Sequence, residues 1–212
     1  RVGSTSTMYS TGSAGAGAGY FYRSTDGGLT FLRINRTNAG LPTTGGTRIQ
    51  MAVAPSNTSV IYLLYANGNG EQGVYRSING GDDFTAQNTT TNKLGTQAWR
   101  NIAIAVSPTN SSHLYAGGLD MYKSTNAGED WEQISNWATT DPNQYSHADI
   151  FELYCFSEFL FAATDGGVFR MNRSTDVWQP LHRNMQIAQS YRLAIDPTAN
   201  NDFVLMGNQD CG

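Results

Sequence analysis

The sequence predicts an all-β protein built from repeated four-stranded antiparallel sheets, and three observations carry that expectation. The first is composition. Of 212 residues, 14% are charged, 11% are aromatic and 23 are glycine. Average soluble domains have roughly 25% charged residues and about 7% glycine. The chain is therefore rich in turns and in buried surface, and it is too aromatic for a disordered tail. The second is a repeat. YRSTDGGLTF (22–31), YRSINGGDDF (75–84), YKSTNAGEDW (122–131) and the degenerate FRMNRSTDVW (169–178) align without gaps, at steps of 53, 47 and 47 residues. The third is an apolar segment, a polar turn with proline and a second apolar segment upstream of these copies. It reads MAVAPSNTSVIYLLY (51–65), IAVSPTNSSHLYAGG (104–118) and LAIDPTANNDFVLMG (193–207).

Each repeat then resolves into four strands. In the best-defined copy the first is Met51–Ala54, the second Val60–Tyr65, the third Val74–Ser77 and the fourth Asp83–Gln87. Phe151–Ala163 fills the slot of the first two strands without a proline. A four-stranded meander cannot bury both of its faces alone. Packed radially against its neighbours it can, which is the β-propeller arrangement. A helical signal is weak, with one short turn expected at Asn184–Ser190. Tyr9 and Tyr22 keep the spacing of Tyr62 and Tyr75, so a second strand is expected near Thr7–Thr11. The predicted division is a partial blade at 1–47, blades at 48–100, 101–146 and 147–190, and a partial blade at 191–212. Propellers run from about four to eight blades, so the chain reads as a segment of a larger propeller of about seven blades. A closed four-bladed ring is the alternative.

The turn between third and fourth strands has a physical basis. In S-x-D-G-G-x-x-F the acidic side chain accepts hydrogen bonds from amides of its own turn. Glycine supplies a positive φ without steric cost. The closing aromatic is expected to pack between sheets. At Ser24, Asp26, Gly28 and Phe31, at Ser77, Asn79, Gly81 and Phe84, and at Ser124, Asn126, Gly128 and Trp131 the sequence resembles the Asp-box (BNR) propeller family. The fourth copy has Arg173 at the acidic position and is expected to have lost the box. The resemblance implies that these turns are structural and lie away from the ligand face.

In a propeller the second-to-third and fourth-to-first connections share the opposite face. They carry the candidates. Thr47-Arg48, Trp99-Arg100-Asn101, His147-Ala148-Asp149 and Tyr191-Arg192 precede the first strands. Glu71, Asp120, Asp165 and Asp210 follow the second strands. The expected ligand contacts are Arg48, Trp99, Arg100, Asp120, His147, Arg192 and Asp210. Asp149 and Asp165 form the best carboxylate pair for acid–base or nucleophilic work on a glycosidic bond. Three arginines, Arg48, Arg100 and Arg192, could clasp a sugar carboxylate as in sialidases. His147 and Asp149 are too few to assign a metal site. A structural reading competes at each position, because TDGG (164–167) can be a turn closed by its own aspartate.

Xyloglucanase-type hydrolases resemble this chain in repeat type, without matching motifs. HADIF (147–151), TDGGVFR (164–170) and GNQDCG (207–212) resemble large secreted bacterial BNR-like propeller proteins, including cargo of the Bacteroidetes type IX secretion pathway. Phe151 stands where those relatives carry a second histidine, and Cys211 where they carry asparagine. The resemblance implies a secreted or cell-surface location.

The formal net charge is −4, with 13 basic residues, of which Lys93 and Lys123 are the only lysines. Such a chain cannot neutralise a phosphate backbone, so nucleic acid is excluded as the expected partner. No apolar run is long enough for a transmembrane helix. Cys155 and Cys211 are too few for a disulfide scaffold, though they could pair with each other. Asn35, Asn57, Asn88, Asn110 and Asn172 begin Asn-x-Ser/Thr triplets, which a chain this rich in those residues produces by chance. The function expected is a recognition module for glycan or protein, with a glycoside hydrolase and an architectural or secretion-cargo domain as alternatives. The expected partners are that ligand and either the remainder of a longer chain or a secretion machinery. No cofactor is expected.

Overall fold

A computed structural model describes residues 7–13, 19–34, 38–68, 70–181, 190–195 and 204–208. Residues 184–189 of the turn expected at Asn184–Ser190 lie outside them, as do Asp210 and Cys211, while Ser190 opens a strand. The described elements are all strands, arranged as four antiparallel meanders and one antiparallel pair. The first sheet holds β1 (Met8–Ser13), β2 (Gly19–Ser24) and β3 (Leu32–Arg33). The second holds β4 (Arg48–Val53), β5 (Ile61–Asn67), β6 (Gly70–Ser77) and β7 (Thr85–Asn88). The third holds β8 (Ala103–Val106), β9 (Leu114–Gly117), β10 (Met121–Ser124) and β11 (Glu132–Gln133). The fourth holds β12 (Ile150–Cys155), β13 (Phe159–Thr164), β14 (Gly167–Asn172) and β15 (Val177–Pro180), and the last pairs β16 (Ser190–Ile195) with β17 (Val204–Asn208).

Period-two alternation explains how the sheets stack. On β5, Tyr62, Leu64 and Ala66 face the third sheet, in one core with Ile104, Val106, Leu114 and Ala116. Ile61, Leu63 and Tyr65 of the same strand face the first sheet, in a core with Phe21, Ile34 and Leu41. The third sheet repeats this, sending Ala103, Ala105 and Tyr115 into a core with Leu153, Leu160, Phe169 and Trp178 of the fourth. A strand buried on both faces reads as a near-continuous apolar run, as IYLLYA does. Successive first strands, β4, β8 and β12, lie against one another. Sheets stacked face to face in chain order, with first strands adjacent, form a β-propeller segment.

The proline turns between first and second strands repeat one hydrogen-bond pattern. Ala54 N–H donates to Val60 O and Val60 N–H to Asn57 O; Ser107 N–H donates to His113 O and His113 N–H to Asn110 O. The S-x-[D/N]-x-G turns repeat another. The hydroxyl of Ser24, Ser77 and Ser124 donates to Asp26, Asn79 and Asn126. The same oxygen accepts the amides of Gly28, Gly81 and Gly128, each at 2.9 Å. Those glycines have φ of +92°, +88° and +91°, which a β-carbon would oppose. The acidic or amide oxygen accepts the N–H of Thr30, Asp83 or Asp130 four residues on. Burial of the closing aromatic is uneven. Phe84, Trp131 and Trp178 each lie in the core shared with the preceding sheet, whereas Phe31, in the first of the described sheets, is 44% exposed.

In the fourth copy Asn172 closes the turn by accepting the Ser174 amide and hydroxyl. Arg173 is turned instead into the joint between sheets. It donates to the Tyr115 hydroxyl at 3.0 Å, the Ser107 hydroxyl at 2.7 Å and the carbonyls of Phe156 and Ser157. Beside it, Cys155 has no disulfide partner among the described residues, and burial pushes its thiol pKa up to about 11.

Candidate functional site

The candidates converge where the connections ahead of β4, β8 and β12 meet the β13–β14 turn. Arg48 opens β4 and reaches the next sheet. Its Nη1 donates to the carbonyl of Trp99 at 3.1 Å and also to that of Arg100. Those carbonyls belong to a tight turn in which Arg100 and Asn101 donate their amides to Gln97 O. The turn leaves the Trp99 side chain outside, with the residue 58% exposed. Arg100 points toward the fourth sheet. Its guanidinium lies over the Phe151 ring, 5.4 Å from the centroid, and Nη2 sits 3.7 Å from Asp165 Oδ1.

Asn101 is fully buried and donates Nδ2 to Asp149 Oδ1 at 2.6 Å. Its Oδ1 has no partner among the described residues. Asp149 sits at φ +62°, a left-handed conformation that aspartate tolerates better than most residues. Its carbonyl accepts the Asp165 amide at 3.1 Å, fixing the two acidic residues side by side. Burial, reinforced by the Asp165 charge, holds the Asp149 carboxyl above the usual aspartate range, against Arg100, His147 and the Asn101 hydrogen bond. The His147 ring lies on Gly166, where a β-carbon would come 2.2 Å from its Cγ. The ring Nδ1 is 3.2 Å from Ala148 O.

Thr164, rather than Asp165, organises the TDGG turn. Its hydroxyl donates to Gly167 O at 2.9 Å and accepts the Gly166 amide at 3.2 Å. Asp165 is thereby left facing Arg100. The structure thus brings together Arg48, Trp99, Arg100, His147, Asp149 and Asp165, with Asn101, Phe151 and Gly166 as supports. Asp120 is directed elsewhere. Its carboxylate accepts the Trp137 amide at 2.9 Å, the Ser135 hydroxyl at 3.4 Å and Gln133 Nε2 at 3.3 Å, closing the loop after β11. Burial raises its pKa. Arg192 lies in β16 with its backbone opposite Gly207, and its side chain is outside the described atoms.

Glu71 is also withdrawn from the face. It forms a buried ion pair with Lys93, Nζ to Oε1 at 2.5 Å, and the ammonium stands 4.6 Å from the Trp131 ring centroid. Sequence reasoning did not pair these two. A lysine in the apolar stretch before Leu94 was the available signal.

The chemistry within reach is limited and specific. One exposed indole, two adjacent carboxylates, a guanidinium and an imidazole can stack on a sugar ring and hydrogen-bond its hydroxyls. Among the described residues, no group of three or more His, Cys, Asp or Glu side chains is arranged to hold a metal. No described helix is long and apolar enough to cross a membrane.

No protein-family model and no curated protein sequence matches the chain. Solved structures do. A glycoside hydrolase family 74 (GH74) enzyme of Niastella koreensis is 22% identical with a TM-score of 0.58, over 82% of this chain and 28% of its own. The GH74 xyloglucanase of Xanthomonas campestris is 18% identical with a TM-score of 0.61, over 96% of this chain and 34% of its own. A YCF48 protein bound to D1 peptide is 10% identical with a TM-score of 0.55, over 90% of this chain and 56% of its own. The chain therefore spans about a third of the two GH74 structures, and at these identities the likeness is one of fold.

Proposed function

We propose that the face built by Trp99, Arg100, His147, Asp149 and Asp165 is a glycan-recognition surface on a secreted or cell-surface protein. The observation that carries this reading is the exposed Trp99 on the same turn as Arg100, which faces Asp165, and Asn101, which hydrogen-bonds Asp149. An indole accepts the C–H face of a pyranose, and planar polar groups next to it take the hydroxyls. We read the serine-centred turns as Asp boxes that support this face from the far end of the sheets, and secretion through a type IX-like route belongs to the same proposal. Titration calorimetry with a xyloglucan heptasaccharide tests it. Trp99→Ala should weaken binding at least tenfold, about 1.4 kcal/mol. Unchanged affinity would reject the surface.

A second reading is glycoside hydrolysis, favoured by the raised Asp149 carboxyl next to Asp165 and by the GH74 fold likeness. Asp149 would protonate the leaving oxygen. Asp165 would activate water or attack the anomeric carbon. Release of reducing ends that is abolished by Asp149→Asn, in a folded protein, would establish turnover. Binding without release would leave recognition alone. A third possibility, a peptide ligand, draws on the YCF48 likeness and would appear as displacement of bound glycan by peptide.

A further inference from the structure

We infer that Arg48 is a positioning residue that sets the Trp99 platform from the neighbouring sheet, without touching the ligand itself. The inference rests on the glycan-recognition reading and deepens it.

Arg48 belongs to the second sheet, and the turn it holds leads into the third. Its Nη1 hydrogens go to the main-chain carbonyls of Trp99 and Arg100. Hydrogen bonds from a charged donor are the stronger kind. Here they fix the backbone of two of the residues whose side chains form the face. The turn has its own closure through the Arg100 and Asn101 amides on Gln97 O. That closure shapes the turn but does not anchor it to the second sheet. Arg48 supplies a hydrogen-bonded anchor, beside the core that Ala98 and Ile102 share with Tyr62, Leu64 and Ala66. Burial lowers the pKa of its guanidinium somewhat, which remains charged.

Beyond the turn the same backbone runs into two further contacts. Arg100 leads to Asp165 and Phe151, and Asn101 leads to Asp149. Releasing the turn would therefore displace the indole and loosen both carboxylate contacts together. A directly binding arginine would behave differently, because its loss removes one ligand contact and leaves the turn in place.

Two measurements on Arg48→Ala separate these roles. Amide hydrogen exchange should accelerate at least tenfold at Arg100 and Asn101 while amides of β5 and β9 keep their rates. A general loss of stability would move all of them. Binding of the xyloglucan heptasaccharide should fall at least tenfold, and Arg48→Ala/Trp99→Ala should bind no more weakly than Trp99→Ala, since coupled residues are not additive. Soaking Arg48→Ala with methylguanidinium should restore part of both signals. Unchanged exchange at Arg100 and Asn101, or additive losses in the double variant, would overturn the inference. If the unaltered chain binds no glycan, the recognition reading falls, and the exchange rates still decide whether Arg48 positions the turn.

Discussion

Replacing Lys93 by methionine should be among the most damaging single changes in the chain, and the damage should depend on pH. Lys93 and Glu71 are both almost fully buried, at 0% and 2% side-chain exposure. Glu71 Oε1 accepts from Lys93 Nζ, and Oε2 from the Lys93 main-chain amide at 2.9 Å. The ammonium also donates to Thr91 O. Removing one member of a buried pair strands the other charge, typically costing about 3–5 kcal/mol. Methionine keeps most of the aliphatic stem, so the loss of the charge should dominate. Burial already raises the Glu71 pKa, with Lys93 opposing that rise, so removing Lys93 should raise it further. The folded protein then holds the Glu71 proton to a higher pH than the unfolded chain does. Stability of the variant should be greatest at low pH and should decline as pH rises through the folded-state pKa. Urea titrations at acidic and alkaline pH measure this, with midpoints compared at a constant slope. The Glu71→Leu/Lys93→Met double variant should recover most of the loss, because a packed apolar pair is often as stable as a buried ionic one. Equal losses in the single and double variants, or a pH-independent loss in the single, would refute the reasoning.

Three further substitutions test the scaffold and the site. Ser77→Ala removes the acceptor of the buried Gly81 amide and the donor to Asn79. It should cost about 1–3 kcal/mol in urea unfolding, with Ser124→Ala alike because its bonds are the same. Gly166→Ala would bring a β-carbon onto the His147 ring. It should shift the histidine resonances of His147 and reduce glycan affinity while the unfolding midpoint changes little, because Gly166 lies in a half-buried turn outside the apolar cores.

Most of the fold was legible because it repeats. The Ser–Asp/Asn–Gly spacing demands one turn geometry, and three copies adopt it down to the same hydrogen bonds. IYLLYA reads as a strand with two buried faces because both faces do bury, against different sheets. The exposure of Phe31 was not legible, since it depends on what lies beside the first sheet rather than on local pattern. For the site, blade registration was enough to bring Arg48, Trp99, Arg100, His147, Asp149 and Asp165 together. It could not say where each side chain turns. Asp120 shares the spacing of Asp165, yet Ser135 and the Trp137 amide lie within its reach. Asp165 meets no such donors in its own turn, which Thr164 already closes. One hydroxyl thus decides which of two equally spaced aspartates faces Arg100.

The same comparison separates scaffold from site by direction of contact. Aligning MAVAP with IAVSP puts Arg48 and Asn101 at one repeat position, just ahead of Ile49 and Ile102. Both reach forward by one sheet, Arg48 to the Trp99 and Arg100 carbonyls and Asn101 to Asp149. The serine turns, by contrast, are closed within a single sheet. A contact closed within a sheet can be copied into every repeat unchanged, so it is conserved along the chain as one motif. A contact that reaches forward must match whatever the next sheet presents, so its residue type changes from arginine to asparagine while its position stays. Exchanging the two, Arg48→Asn with Asn101→Arg, tests this. Asparagine is too short to span both carbonyls from position 48, and an arginine at 101 would have to bury a guanidinium against Asp149. The exchanged chain should lose stability at both joints, by more than Arg48→Ala alone in urea unfolding. A midpoint equal to the unaltered chain would mean that the forward contacts are interchangeable and that the position, not the residue, carries the joint.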